Sequence, residues 1–362
     1  MKDKWMLSAP KFLFVPVSTP EGIGEYMRSK IIADEVMNRW PEAQIDFVLN
    51  RHVSYIDDCP YSTHLVDDTP TKKTREVNQL ITELKPDVVI FDAAGRKAQL
   101  KHAHRMGAKV IFISQHRRKR SRGMKIARAR VTDSHWVVQP KFIIGDISRF
   151  DKFKLAMIKR EHPIYTGSIF TSPTNEQKKH LFDKYEIKQG GYLLYSAGSG
   201  GHSLKEGLAA DLFAQVAKTI FRETGIPSLM VFGPNYPKSL PDMEGVIAIP
   251  HLNTREFINL LDGAKAAILS GGDTMLQSIA LKTPALAVAI SKDQPPRINS
   301  CAAANLILAC GSDQQEMLTK TRKLIDVQSL NRLQETMAGL DDTNGLDIGM
   351  AEIARLIGSL ES

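Results

Sequence analysis

The sequence predicts an α/β protein made of two doubly wound parallel sheets in tandem. Three observations predict it. Short apolar runs, such as FLFVPV at 12–17 and VVIF at 88–91, alternate with stretches whose apolar residues recur at helical spacing. The alternation runs through the chain twice, with a break near 166–177. In each half a strand opens into glycines ahead of a helix. A length of 362 residues suits two such units, and a hydrophobic fraction of 43% is ample for two cores. The expected domains are 1–166 and 167–362, the second closed by C-terminal helices.

In the first half, 12–17 reads as a buried strand followed by the loop 18–24. A helix at 25–39 follows from the spacing of Ile31, Ile32 and Val36. Residues 45–49 (IDFVL) are a strand, and the polar, Asp-rich stretch 51–70 reads as a loop. A helix at 74–84, a strand at 88–91 ending on Asp92, a helix at 99–106 and a strand at 110–114 come next. The chain then enters a basic segment, a short strand at 136–138 and the exit 163–167.

The second half opens with a strand at 192–196 and the glycine loop 197–202 (AGSGGH). Residues 204–224 read as mainly helix. Strands follow at 228–232, before Gly233-Pro234, and at 246–249. A helix at 254–262 and a strand at 266–269 lead to Ser270-Gly271-Gly272-Asp273-Thr274. A short helix at 274–281, which Thr274 can cap, and a buried strand at 285–290 end in Ser291-Lys292-Asp293-Gln294. The rest is helical.

Composition narrows the partners. The net charge of +8 and a pI near 9.2 favour anionic ones. The excess is uneven: 116–130 (HRRKRSRGMKIARAR) holds eight Lys or Arg besides His116, and no acid. Near anionic lipid each such cation contributes about 1 kcal/mol. Nucleic acid is disfavoured, because no aromatic residue interleaves these cations to stack bases. No apolar run approaches the roughly 18 residues of a membrane span, and the start, MKDKWMLSAPKFLFVPVS, is not a convincing signal peptide. Cys59, Cys301 and Cys310 show neither metal spacing nor a paired framework, which fits a reducing cytosol. His102 and His104 stand two apart on a helix and point to different faces. With Asp57, Asp58, Asp67 and Asp68 they have no ligand spacing, so no metal is expected.

The candidate chemistry sits on the glycine turns. Backbone N–H groups between a strand and a helix N-terminus can approach an anion closely. Ser199, Gly200, His202 and Ser203 form one such loop, and Gly271, Gly272, Asp273 and Thr274 another. Gln277 lies one helical turn further in, within reach of a ribose or base. Asp293 and Gln294 leave the C-terminal end of the next strand, where α/β sheets usually carry ligands.

The string from 268 to 299 resembles the donor-sugar segment of GT-B glycosyltransferases, especially the peptidoglycan-pathway N-acetylglucosaminyltransferase and related predicted transferases. That pattern is S-G, T-x-x-E, then G-x-P seven residues after the E, an apolar strand and D-Q. Ser270-Gly271, Thr274-x-x-Gln277, Pro284 and Asp293-Gln294 stand in register, with Gln277 in place of the ribose-binding acid and Lys282 in place of the glycine. The resemblance implies a GT-B fold, two Rossmann-like domains facing a central cleft. It implies an inverting, metal-independent transfer from a nucleotide-diphosphate sugar, UDP-linked, without a cofactor. His251 and Leu252 fall where relatives contact the base, and Arg297 where they carry Asn or Arg near phosphate.

At Gly22-x-Gly24-Glu25-x-x-Arg28 similar families read G-x-G-H-x-x-R, the histidine acting as base. Glu25 holds that position here and is the candidate base. Its other reading is an ordinary first-turn acid favoured by the helix dipole. The basic segment matches H-E-Q-N-x-x-P-G-x-x-N-K-x-L-A-R at His116, Gly123, Lys125 and Arg128. The resemblance therefore places His116, Arg117, Arg118, Lys119, Arg120, Arg122 and Lys125 near a glycolipid or cell-envelope acceptor and the inner face of an anionic membrane. The alternatives to transfer are a nucleotide-sugar hydrolase and a non-catalytic sugar-nucleotide-binding protein.

Overall fold

The computed structural model describes residues 9–19, 23–205, 207–292, 294–340 and 344–358. The first series runs β1 (Lys11–Pro16), α1 (Gly24–Arg39), β2 (Gln44–Asn50), β3 (Ser62–Val66), α2 (Thr74–Leu84), β4 (Val88–Asp92), α3 (Lys97–Arg105), β5 (Lys109–Ser114), α4 (Arg117–Gly123), α5 (Ile126–Ala129), β6 (Ser134–Val137), α6 (Lys141–Ile144), α7 (Arg149–Met157) and β7 (Ile164–Tyr165). The second runs α8 (Asn175–Tyr185), β8 (Leu193–Ser196), β9 (Ser203–Leu204), β10 (Gly207–Leu208), α9 (Ala209–Thr224), β11 (Ser228–Val231), β12 (Val246–Ile249), α10 (Thr254–Gly263), β13 (Ala266–Ser270), α11 (Asp273–Ala280), β14 (Ala285–Val288), α12 (Pro295–Ala303), β15 (Leu308–Cys310), α13 (Gln314–Ile325) and α14 (Val327–Ala338). Helix α15 (Gly345–Gly358) follows. Two compact units result, Met1–Ile169 with Gly345–Ser362, and Phe170–Asn344.

The first unit carries a seven-stranded sheet in the order β3-β2-β1-β4-β5-β6-β7. Its pairings are all parallel. Strands buried on both faces need unbroken apolar runs, and Leu13, Phe14, Val15, Val89, Ile90 and Phe91 supply them. The stretch 51–70 is not all loop. STHLV pairs with β2 as the edge strand β3, where one face is enough and its polar residues meet water.

The sequence assigns 167–362 to one domain, but α15 belongs to the first unit. Leu346, Met350, Ile353, Leu356 and Ile357 join the core that holds Phe12, Phe47 and Trp136. The glycines of α15 make the contact close. A Cβ on Gly349 would stand 2.9 Å from the Trp136 ring, and one on Gly345 would stand 2.5 Å from the Thr166 carbonyl. The last turns are held by Glu352, whose carboxylate takes two bonds from Arg355 at 2.6 and 2.8 Å. An amphipathic helix has no preference for either core in its own sequence, so its partner is set by shape.

The second unit carries a six-stranded parallel sheet, β12-β11-β8-β13-β14-β15. The expected helix over 204–224 starts later, at Ala209. Before it, Ser203–Leu204 pairs antiparallel with Gly207–Leu208 as a small hairpin. Gly207 at φ +125 breaks helical geometry there.

Gly349→Val should overfill the seat against Trp136 and cost about 1–3 kcal/mol. The urea midpoint should fall accordingly. Ala354→Val, at an exposed position of the same helix, should shift stability by no more than about 0.5 kcal/mol.

Candidate functional site

In the second unit the strand order reverses at β8, which lies between β11 and β13. Open α/β sheets bind ligands at such a switch point, beyond the C-terminal strand ends. The loop 197–201 leaves β8 there, and the loop 271–272 leaves β13 beside it. Gly198 and Gly200 stand at φ +77 and +87. A Cβ on Gly200 would lie 2.1 Å from the Phe232 carbonyl oxygen. Gly233, at φ +93, is as tight: its Cβ would meet Ser199 at 2.4 Å. The Asn235 N–H donates to the Ser199 carbonyl at 2.8 Å, and the Gly233 N–H to Pro250 at 2.8 Å. Three strand ends are thus bound together through backbone.

Around Gly198 and Gly272 the packing opens. Among the described residues a Cβ at either meets only the Ser270 hydroxyl, at 3.4 and 3.8 Å. Gly272, not Thr274, is the N-cap of α11, with no side-chain cap, so Asp273 and Thr274 lie inside the first turn. First-turn N–H groups of a helix have no partner within it. Gly271 is closed in from the other side, its would-be Cβ 2.5 Å from Ile298 and 3.1 Å from Gln294. Arg297 lies 3.6 Å from Asp273 and donates to the Gly271 carbonyl at 3.4 Å. Gln294 is buried, and its amide oxygen accepts the Ile290 N–H at 3.0 Å, so half of that side chain closes its own loop.

Gly271, Asp273, Gln294 and Arg297 therefore come together by direct contacts, and Gly198, with Ser199 and Gly200 behind it, meets Gly272 across the Ser270 hydroxyl. Gln277 is half-buried one turn along α11. His202 is half-buried with Nδ1 shielded and unpartnered among the described residues, and Ser203 is exposed in the hairpin. His251 is exposed and Leu252 half-buried ahead of the Asn253–Glu256 capping box. Pro250, whose carbonyl accepts the Gly233 N–H, ties them to the glycine loops. Asp293 lies outside the described residues. Lys282, which replaces the glycine of the resembling pattern, keeps a left-handed backbone at φ +62. Gly233 was not among the candidates; its signal was Gly-Pro at a strand end next to β8.

In the first unit the reversal falls at β1, between β2 and β4. Gly24 opens α1, exposed, with no atom of the described residues within 4 Å of a Cβ. Glu25 follows in the first turn, half-buried. Arg28, one turn on, reaches the end of β4. Its guanidinium makes two bonds to Asp92, Nε to Oδ2 at 2.8 Å and Nη2 to Oδ1 at 2.6 Å. Asp92 is thus the buried partner of Arg28. Burial pushes its carboxyl up, Arg28 opposes this, and Glu25 and Lys119 act from nearby with opposite signs. Burial, then Glu25, push the Tyr55 phenol up to about 12. Glu25 therefore sits among Tyr55, Asp92 and, through Asp92, Lys119. Ala93, next in the chain, holds a left-handed φ of +53.

The basic segment divides into buried and exposed cations. Arg120 is buried and donates to the carbonyls of Gly145 and Asp146 and to the Tyr165 hydroxyl. Arg117 donates to Ile144 at 2.9 Å. Arg128, beyond the predicted set, is buried, bonds the Gly95 carbonyl at 3.0 Å and lies 4.9 Å over the Phe112 ring. Arg120 is thereby withdrawn from the predicted surface, because a carbonyl 25 residues away needs its donors. Arg118, Arg122 and Lys125 remain exposed, Lys119 is half-buried, and His116 is an exposed N-cap position. Beneath them, burial and then Arg128 and Arg120 push His135 down to about 3.

No family model matches the chain, and no curated protein matches it. Solved structures do. The calicheamicin glycosyltransferase CalG4 aligns at TM-score 0.62 and 14% identity, over 97% of this chain and 98% of that one. The glycosyltransferase VinC, in complex with dTDP, aligns at 0.64 and 14%, over 96% and 99%. UDP-GlcNAc 2-epimerase from Neisseria meningitidis, bound to UDP-GlcNAc, aligns at 0.60 and 14%, over 95% and 100%. The fold of this chain is GT-B-like.

Arg28→Met leaves Asp92 buried without its cation and should cost about 3–5 kcal/mol; Arg28→Met with Asp92→Leu should recover most of it. Urea unfolding of the three proteins measures both. His135 adds a pH dependence of known sign. Its folded pKa lies below the unfolded value, so its contribution is present above about 6.5 and is lost as pH falls toward 3. The urea midpoint of the parent should drop more steeply from pH 7 to 4 than that of His135→Gln, with the ordinary pKa of about 6.5 marking the onset.

Proposed function

We propose that the chain is an inverting glycosyltransferase that takes a sugar from a nucleoside-diphosphate sugar, UDP-linked, to a cell-envelope, glycolipid or glycan acceptor. The observation that carries this reading is the meeting of two glycine loops at the switch point of the second sheet. Gly198 and Gly272 leave open backbone beside each other, at the N-terminus of α11. Such a place suits a diphosphate, whose charge the N–H groups and the helix dipole would take. Gln277 would reach the ribose, and Arg297, already drawn to this loop, would stand by the phosphates. The neighbours bound to dTDP and UDP-GlcNAc support a nucleotide at this fold.

The acceptor and the base belong to the first unit in this reading. The Glu25 carboxylate would take the proton from an acceptor hydroxyl. The acceptor oxygen then bonds to the anomeric carbon as the bond to the diphosphate breaks, and the diphosphate leaves with the electron pair. Inversion follows from in-line displacement. The exposed cations of α4 would favour an anionic glycolipid and a peripheral place on an anionic membrane.

A second reading keeps the donor site and replaces the acceptor with water. It is favoured by the carboxylate at position 25 and by a neighbour that is an epimerase rather than a transferase. Donor consumption that needs no acceptor would select it.

Gly272→Ala tests the donor site without disturbing the fold, since its backbone at φ −86 suits any residue and no described residue crowds a Cβ there. A nucleotide at 100 times its dissociation constant should stabilise the parent by about 2.7 kcal/mol. Thermal shift against UDP, dTDP, GDP and their sugars should show one responding series. The response should weaken in Gly272→Ala and, about tenfold in affinity, in Gln277→Ala. Unliganded melting should be unchanged in both. No shift with any nucleotide sinks the proposal.

A further inference from the structure

Helix α7 presents its large side chains to water. Phe150 is 70% exposed, Phe153 63% and Met157 64%. Their spacing of three and four puts them on one face, while Leu155 alone in the helix is buried, against Met124 and Ile147. Phe142, one short helix earlier, is also exposed. Three adjoining large apolar side chains on about two turns of helix are not the scattered exposure of an ordinary surface.

The ridge lies in a field of one sign. From Arg117 to Arg160 the chain carries fourteen Lys or Arg against Asp133, Asp146 and Asp151. The rest of the chain is net acidic, so the whole positive excess resides here. Helix α4 is bolted to the approach to α7 by the bonds of Arg117 and Arg120 to the carbonyls of 144–146. Asp146 is shared by Lys141 and Lys152, and Asp151 pairs with Lys154. Among the described residues no carboxylate pairs with Arg118, Arg122, Lys125 or Arg149.

We propose that α7 is an interfacial anchor: Phe150, Phe153 and Met157 enter the headgroup region of an anionic lipid bilayer, with Arg118 and Arg149 among the cations on its phosphates. An apolar ridge bordered by Lys and Arg is the arrangement by which a helix lies in a membrane interface. A second copy fits less well. A two-fold contact through this ridge would set the same unpaired cations against each other. Single-stranded nucleic acid prefers aromatic platforms along a groove, and this ridge is a convex helix face. The anchor rests on the peripheral membrane place proposed above and is separable from sugar transfer: vesicle binding without a nucleotide response, or the reverse, separates the two.

Co-sedimentation of the full chain with phosphatidylcholine vesicles, with and without phosphatidylglycerol, tests it. The parent should bind the phosphatidylglycerol vesicles, and less as salt rises. Phe150→Ser/Phe153→Ser/Met157→Ser and Arg118→Glu/Arg149→Glu should each weaken that binding by about tenfold or more. All five positions are at the surface, and an unchanged melting temperature confirms that the variants are folded. Equal binding to both vesicle types, or binding that survives the apolar triple variant, overturns the proposal. So does self-association or binding to an RNA homopolymer that the triple variant abolishes while no vesicle is bound.

Discussion

The backbone of the loop after β8 lies so close to the turn after β11 that neither Gly200 nor Gly233 can carry a side chain. Everything at the C-terminal edge of the second sheet depends on that contact. It lets the Phe232 and Ser199 carbonyls sit where Cβ atoms would otherwise be, and draws three strand ends into one rigid rim. Once the rim is closed, the open side of Gly198 can face only Ser270, and the two glycine loops become neighbours. Close backbone packing on one side thus creates accessible backbone on the other.

The first unit solves a different problem. Its strands end in polar groups that must be satisfied inside the protein, and arginine does most of the work. Arg28 meets Asp92 at the end of β4, Arg120 the carbonyls before α7, and Arg128 the Gly95 carbonyl. A guanidinium can answer several acceptors in one plane, which an ammonium cannot. These arginines hold the loops in place, and they also hold the unpaired cations and the α7 ridge at the surface. The basic character of the segment and its structural role are therefore carried by different members of the same run.

Apolar runs and glycine turns were legible because they act over short range. FLFVPV and VVIF need no distant partner to be read as buried parallel strands, and the glycines at 198–201 and 271–272 mark sharp turns wherever they occur. The two parallel sheets and the membership of most strands follow from such signals, while the GT-B arrangement was implied by the resemblance of the 268–299 string. The edge strand β3 was hidden because its residues alternate weakly and are half polar. The β9–β10 hairpin was hidden because two-residue strands have no periodicity.

What the sequence determined by itself is the order of the elements and the residue types at the strand ends. Only the tertiary structure decided which charges are free and which are spent. Arg120 and Arg118 are two apart in one run, yet one is buried on a carbonyl 25 residues away and the other is in water. It also decided that α15 closes the first core rather than the second, through the fit of Gly349 on Trp136, more than two hundred residues distant in the chain. The physical reason is the same in both cases. Burial of a polar group or a helix face depends on the shape and unsatisfied bonds of a partner remote in sequence, and no local pattern encodes that partner.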